Sequence, residues 1–101
     1  MAKIHVKHLY IENKKIYEIH GQLFFASTAD FIKIFSFEED VKEIELNFSH
    51  AHVWDDSAVA SIDKVIMKYE QSGVKVSITG LNERSAKLVT NLATYNKRIA
   101  S

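Results

Sequence analysis

Residues 44–79 read IELNFSHAHVWDDSAVASIDKVIMKYEQSGVKVSIT, with an alternating segment at each end and a longer periodic segment between them. In the first segment Ile44, Leu46 and Phe48 alternate with polar residues, and a period of two places them on one face of a β-strand. Residues 74–79 alternate in the same way. The pattern therefore predicts two strands, each with one buried face and one wetter face.

The segment between these strands has the spacing of an amphipathic helix. Val59, Ile62, Ile66 and Tyr69 follow one another at intervals of three or four residues, so they share one helix face. Gly73 then offers the left-handed residue that commonly ends a helix. A strand, a helix and a second strand in this order predict a parallel β-α-β crossover.

Alternation also occurs in the N-terminal part of the chain. Ile4 and Val6 alternate with polar neighbours, residues 12–15 are polar, and Tyr17 and Ile19 then alternate with Glu18 and His20. Two alternating segments around a polar turn predict a β-hairpin. Residues 23–25 are expected to continue as a short extended segment.

Two further helices are predicted outside the central unit. Residues 27–30, Ser-Thr-Ala-Asp, resemble a capping box with Asp in place of Glu, so a helix should follow them. Its apolar positions are Phe31, Ile32, Ile34 and Phe35. A last helix follows Asn82. Its apolar positions are Ala86, Val89, Leu92 and Ala93.

The predicted element order is β-β-(β)-α-β-α-β-α, which places the chain in the α/β class. We expect a mixed β-sheet in which an N-terminal antiparallel hairpin precedes parallel crossovers. Because the strands alternate instead of running continuously apolar, the helices should pack mainly on one face and leave the other face partly wet. That face is a candidate docking surface.

Composition limits the function classes. A chain of 101 residues fits a single domain, residues 1–101. Its 13 Lys and Arg balance 13 Asp and Glu, so no basic excess favours nucleic acid as a partner. The absence of cysteine excludes disulfides and thiolate chemistry. The longest uninterrupted apolar stretch, residues 23–26, is too short to span a bilayer, and the alternating start lacks a signal-peptide core.

Residues 50–57, HAHVWDDS, hold most of the reactive side chains between a strand end and a helix start. In one interpretation His50 and His52 project from one side of the chain and bind a metal ion with Asp55 or Asp56. The order is similar to the His-x-His-x-Asp-His motif of metallo-β-lactamase-like hydrolases. It has an additional residue before the acids and no histidine after them, so we expect neither a metal nor a cofactor.

Ser57 allows three interpretations. As a nucleophile it would need a histidine base and an orienting acid, but no Gly-x-Ser-x-Gly elbow is present, and we expect no enzyme activity. As a phosphorylation site it would face the positive end of a helix, although Asp55 and Asp56 would repel the phosphate. As a cap it would satisfy the first backbone N–H groups, which the residue pattern favours. We retain Asp55, Asp56 and Ser57 as a candidate regulatory, phosphorylation or interaction loop.

The aromatic residues near this loop also allow alternatives. Trp54 either closes the core with its indole N–H satisfied or is exposed and marks an interface. The sequence favours the first alternative because a Trp just after a strand is usually a lid over the core. By the same argument, we expect residues 23–25, Leu-Phe-Phe, to lie in the core.

Three strings in the sequence are similar to a known domain family. They are YEIHGQLFFAS at residues 17–27, DDSAV at residues 55–59 and Tyr69-Glu70-x-x-Gly73-x-x-Val76. Together they resemble the STAS domain, which sulfate transporters and anti-sigma factor antagonists share. GQLFFAS at residues 21–27 is most similar to the C-terminal cytoplasmic STAS domain of bacterial SulP-family (sulfate permease) anion transporters. The resemblance covers about residues 3–95.

The resemblance implies a STAS fold and a non-catalytic regulatory or interaction role. Its transporter branch implies a domain of a larger SulP-type inorganic anion transporter, for sulfate or bicarbonate, at the cytoplasmic face of the cell membrane. The partners implied are the membrane domain of the same transporter in cis and a second protomer, in a homodimer formed through the parent transporter. A nucleotide or an anion is the ligand implied for the loop at residues 55–57.

The antagonist branch of the family implies a different role. There the loop reads Asp-Ser-Ser-Gly, and phosphorylation of the second Ser switches partner binding. Asp55 matches the Asp, Asp56 stands at the first Ser, Ser57 at the phosphorylated Ser, and Ala58 at the Gly. The alternative function is therefore a standalone anti-sigma factor antagonist that phosphorylation of Ser57 switches.

Overall fold

The computed structural model describes residues 4–38 and 40–92. These residues form β1 (His5–Ile11), β2 (Lys14–Leu23), α1 (Thr28–Ile34), β3 (Glu43–Val53), α2 (Asp56–Gln71), β4 (Lys75–Thr79) and α3 (Glu83–Leu92). The predicted helix positions at Leu92 and Ala93 lie outside the side chains that the structure describes. Within the described residues, no helix has both the length and the apolar character that a bilayer crossing requires.

The four strands form one mixed sheet in the order β1-β2-β3-β4. β1 and β2 pair antiparallel, whereas β3 is parallel to both β2 and β4. The predicted hairpin and the two parallel crossovers are therefore confirmed. The predicted separate segment at residues 23–25 is wrong, because β2 continues through Gly21 to Leu23, where it pairs with Val53 of β3.

Strand β3 is longer than its alternation predicts. A bulge at Phe48 and Ser49 places two residues opposite Ile19, since Glu18 pairs with Asn47 and His20 pairs with His50. The extra residue resets the alternation, so that Ala51 and Val53 return to the core face. The predicted strand end at Phe48 is in fact the position of this bulge.

The core lies between one face of the sheet and the helices. Tyr17, Leu46 and Phe48 are almost fully buried on the sheet side, and Phe31 of α1 and Ile62 of α2 face them. The largest fully buried side chains are Tyr17, Tyr69, Phe31, Phe48, Ile19, Leu23, Ile44, Leu46, Ile62, Ile66, Val53 and Val59. This arrangement confirms a sheet with its helices packed mainly on one face.

Helix α2 matches its predicted pattern. All four periodic residues, Val59, Ile62, Ile66 and Tyr69, are buried. Gly73 ends the helix with φ of +79°, and its N–H donates to the carbonyl of Glu70 at 3.0 Å. The N–H of Val74 donates to the carbonyl of Tyr69 at 3.0 Å, which completes a Schellman motif.

Helix α1 begins differently from its prediction. Ser27 occupies the N-cap position, but its hydroxyl makes no capping hydrogen bond. Instead it donates to the carbonyl of Gln22 at 2.8 Å and accepts from the N–H of Phe24 at 3.1 Å. The predicted capping box is wrong, because the Ser27 side chain holds the turn after β2.

Among the residues that the structure describes, no helix packs on the second face of the sheet, and we call it the open face. It includes His5, Lys7 and Leu9 of β1, Ile16, Glu18 and His20 of β2, and Glu45, Asn47, His50 and His52 of β3. Most of these side chains are exposed or half-buried, and Leu9 is 57% exposed. The predicted wetter face is therefore present, and it is rich in histidine.

Candidate functional site

The candidate loop at residues 55–57 forms the start of helix α2. Asp55 has extended backbone angles and is the N-cap residue; one carboxylate oxygen accepts the N–H of Ala58 at 2.9 Å. The other oxygen accepts the N–H of Phe25 at 2.9 Å, on the turn after β2. Asp55 therefore caps α2 and also fastens this turn to the helix.

Ser57 is the second residue of α2 and is exposed. The expectation that Ser57 caps the helix is wrong, because the capping contact is made by Asp55 two residues earlier. Asp56, also exposed, is the first helical residue and lies beside the positive end of the helix dipole. Ser57 lines an open groove of about 270 Å³ together with Ile32 and Lys64.

The two histidines of the alternative metal interpretation make their contacts away from Asp55 and Asp56. His52 Nδ1 lies 2.7 Å from the side-chain amide nitrogen of Asn82, and His50 stacks on His20 of the neighbouring strand. Within the described residues, neither Asp55 nor Asp56 joins these histidines in a cluster of metal-ligand atoms. The metal interpretation based on His50, His52 and the two acids is therefore wrong.

The nucleophile interpretation is not supported either. His52 is engaged with Asn82 on the open face, and Asp55 accepts two backbone N–H groups. Among the residues that the structure describes, no histidine is hydrogen bonded to Ser57.

Trp54 is 43% exposed, so the alternative of a core lid is wrong. Its indole N–H donates to the side-chain oxygen of Gln22, and its backbone N–H donates to the carbonyl of Leu23 at 3.0 Å. The guanidinium of Arg84 lies over the indole, 4.9 Å from the ring centroid. The ring is thus held in place while much of its surface stays exposed.

Phe25 is a second exposed aromatic residue, on the turn that Asp55 attaches to the start of α2. Its side chain is 71% exposed, whereas Leu23 is fully buried and Phe24 is half-buried. The prediction of a core position for residues 23–25 therefore holds for Leu23 and is wrong for Phe25. The hydrogen bond from the Phe25 N–H to Asp55 explains the difference, because it fixes the turn that carries this ring.

A cleft of about 520 Å³ opens beside Trp54. It is lined by that ring and by the first turns of α3, where Arg84 and Lys87 provide positive charge and Glu83 a negative charge. The start of α3 is fixed by Asn82, whose side-chain oxygen accepts the N–H of Ser85 at 2.7 Å. Buried Ser85 in turn accepts the N–H of Val53 at 3.1 Å, which attaches α3 to the end of β3.

We name this surface the aromatic junction and define it by Gln22, Phe25, Trp54, Asp55 and Arg84. Of these residues, only Asp55 belongs to the candidate loop that the sequence predicts; the exposure of the two rings and the participation of Arg84 do not follow from the sequence pattern. Gln22 and Arg84 come from segments far apart in the sequence, so local patterning could not reveal their contacts with Trp54. The arrangement brings two exposed aromatic rings and a guanidinium to one surface.

Comparison with known proteins identifies the family. A family model described as STAS domain matches residues 6–97. The chain is 35% identical over 88 residues to "Putative sulfate transporter YbaR" of Bacillus subtilis, an alignment that covers 87% of this chain and 18% of that relative. The chain therefore spans less than a fifth of the length of this curated relative.

Solved structures agree with the family model. The STAS-domain antisigma-factor antagonist of Rhodobacter sphaeroides superposes with a TM-score of 0.73 and 34% identity, covering 77% of this chain and 87% of that one. The SulP transporter STAS domain of Vibrio cholerae gives a TM-score of 0.66 at 21% identity, covering 83% of this chain and 66% of that one, which supports the fold alone. Since the family model spans nearly the whole sequence, this chain belongs to the STAS domain family.

Proposed function

We propose that this chain is the cytoplasmic regulatory or interaction STAS domain of a SulP-type inorganic anion transporter, for sulfate or bicarbonate. The observation that carries the proposal is the aromatic junction, whose two exposed rings flank the family's candidate loop. Relatedness to a putative sulfate transporter at 35% identity supports the choice of parent protein. Anion translocation itself belongs to a membrane domain of the same transporter.

The aromatic junction has the composition of a protein-binding surface. Trp, Phe and Arg are enriched in the cores of protein interfaces. Trp and Arg are also enriched among the residues that contribute most of the binding energy. Trp54 and Phe25 are both held by hydrogen bonds to neighbouring elements, to Gln22 and Asp55 respectively. A surface that is already ordered loses little conformational entropy when a partner binds.

The partners follow from this role. The membrane domain of the same transporter is the partner in cis, and a second protomer is brought close through the parent homodimer. The cleft between Trp54 and Arg84 is where a nucleotide or an anion would find positive charge. In this proposal the domain lies at the cytoplasmic face of the cell membrane and carries out no chemistry.

Uptake measurements in the parent transporter test the proposal. Replacing Trp54 or Phe25 by Ala should reduce uptake of labelled sulfate or bicarbonate at least several-fold, because the interface would lose its aromatic anchors. Met67→Ala is the matched control, since Met67 is 40% exposed but lies further along α2. Uptake that stays at the wild-type level in both aromatic variants, with normal amounts of transporter in the membrane, would contradict the proposal.

The second candidate is a standalone anti-sigma factor antagonist controlled through Ser57. The 34% identity to the Rhodobacter sphaeroides antagonist, of which the match covers 87%, favours it, as does the exposure of Ser57. Against it, Asp55 already accepts the Ala58 N–H, and Asp56 adds a second negative charge beside any phosphate. Intact mass after incubation with a partner kinase would distinguish the two candidate functions. The antagonist should gain the mass of one phosphate, and Ser57→Ala should abolish this gain while the exposed control Ser72→Ala retains it.

A further inference from the structure

Three histidines from three different strands lie side by side on the open face. The rings of His5 and His20 stack with centroids 4.9 Å apart and planes 17° apart. The rings of His20 and His50 stack at 4.7 Å and 10°. Glu18, two residues before His20 on β2, completes the group through a contact of 2.7 Å between its carboxylate oxygen and His20 Nε2.

The bulge in β3 is what brings His50 into this row. Without the additional residue, continuous pairing from Asn47 would place Ser49 opposite His20. With it, His50 pairs with His20 and projects on the same face. β-Bulges often re-aim a side chain in this way next to functional sites. Two contacts hold the bulge, from the N–H and the hydroxyl of Ser49 to the Asn47 side-chain oxygen, at 2.9 Å and 2.6 Å.

From this arrangement we propose that Glu18, His20 and His50 form a binding site for a divalent transition-metal ion of the zinc class. One ligand atom from each residue lies within 4.8 Å of the other two. Two imidazole nitrogens and one carboxylate oxygen form a donor set that suits Zn²⁺ and leaves one coordination position for water. This site is independent of the transporter proposal and of the aromatic junction.

The geometry needs only side-chain adjustment to accept the ion. Donor atoms around a tetrahedral Zn²⁺ lie about 3.3–3.6 Å apart, given bonds of about 2.0–2.2 Å. The Glu18 and His20 donor atoms, now 2.7 Å apart, would separate slightly, and the His50 ring would turn out of its stack on His20 to bring its nitrogen to the ion. Glu18 and His20 are half-buried and His50 is exposed, so these side chains have room to rotate. His5 stacks on the other face of the His20 ring, so most of the rotation falls to exposed His50.

The existing hydrogen bond also fits metal binding. An ionised carboxylate only accepts, so His20 Nε2–H is the donor to Glu18. The metal ion would take the place of this proton between the two side chains: an imidazolium would release the proton to solvent, and a neutral ring would carry it on Nδ1 instead.

Calorimetric titration of the tag-free chain with a zinc salt near neutral pH tests the site. We expect one saturable ion per chain. His50→Ala and Glu18→Gln should each weaken zinc binding by at least about tenfold. Loss of a residue that only hydrogen-bonds to a metal ligand already lowers metal affinity by this factor. Far-UV circular dichroism of each variant verifies that it is folded, and both positions tolerate change because neither is buried.

Two other histidines provide matched controls. His52→Ala removes a histidine from the same strand and the same face, and His8→Ala removes one from β1 that contacts Tyr10 and Tyr17 instead. Both variants should bind zinc as tightly as the wild type. Absence of saturable binding at millimolar zinc, or equal affinity in all four variants, would overturn the proposal.

Discussion

Gly80 illustrates how a single residue supports the site-bearing part of the sheet. Its φ is +76°, and a Cβ placed there would lie 2.6 Å from the backbone nitrogen of Ser49 and 2.7 Å from the side-chain oxygen of Asn47. These are the atoms that form the bulge of β3. The bulge and the turn after β4 are therefore packed so closely that only glycine fits.

Replacing Gly80 by Ala should destabilise the fold by about 2–4 kcal/mol, because backbone strain and a backbone clash add together. Gly73→Ala is the matched control. Gly73 has a similar φ of +79° but has no atom within 4 Å of the added Cβ, so only the strain of about 1–2 kcal/mol should apply. Chemical denaturation of the two variants measures the difference. Equal losses of stability in Gly80→Ala and Gly73→Ala would show that the contact between Gly80 and the bulge is unimportant.

At the scale of elements, the junction of β2, β3 and β4 on the open face is joined by charged and polar side chains. Lys14 of β2 lies 2.9 Å from the carboxylate of Glu45 on β3, and Thr79 of β4 donates to the same carboxylate at 2.9 Å. The hydrogen bond from Lys14 lowers the pKa of Glu45 below its ordinary 4.5, and partial burial opposes this shift. One carboxylate thus links three strands.

A lowered folded-state pKa means that the unfolded chain binds the proton more readily. The contribution of Glu45 to stability is therefore fully present above its ordinary pKa of 4.5 and is lost as the pH falls through the lower folded value. Glu45→Gln should lower stability at neutral pH and make it less dependent on pH in this acidic range. Denaturation across the range measures this effect.

Glu83→Gln is the control for this experiment. Glu83 is 90% exposed and lies 3.9 Å from Lys87 on the same helix, a geometry in which an ion pair contributes little. Its substitution should leave the acid dependence unchanged. A Glu45→Gln variant that titrates like the wild type would contradict the assignment of Glu45 as the link between the strands.

Across the whole fold, the sequence is most informative where buried apolar residues recur at the regular spacing of one helix or one strand. The four apolar positions of α2 and the glycine after it were predicted because helix periodicity and left-handed termination are local properties. The strand pair Ile44–Phe48 and Val74–Thr79 was predicted for the same reason. These elements determine the class and most of the topology.

The features that local sequence patterns do not predict depend on contacts between distant segments. The bulge at Ser49 needs Gly80 from beyond β4, and the turn that carries Phe25 is fixed by a hydrogen bond from its N–H to Asp55, thirty residues away. The row of His20 and His50 requires the register of neighbouring strands. Alternation within one strand does not reveal contacts between distant segments. The sequence therefore predicts the loop at residues 55–57 but not the aromatic rings and histidines around it.

Sequencing the native gene upstream of the Met1 codon tests whether this STAS domain is part of an anion transporter. We expect the reading frame to continue into several apolar segments of about 20 residues, the length that spans a bilayer as a helix. A stop codon followed by a genuine start at Met1 would overturn this proposal and favour the standalone antagonist with Ser57 as its switch.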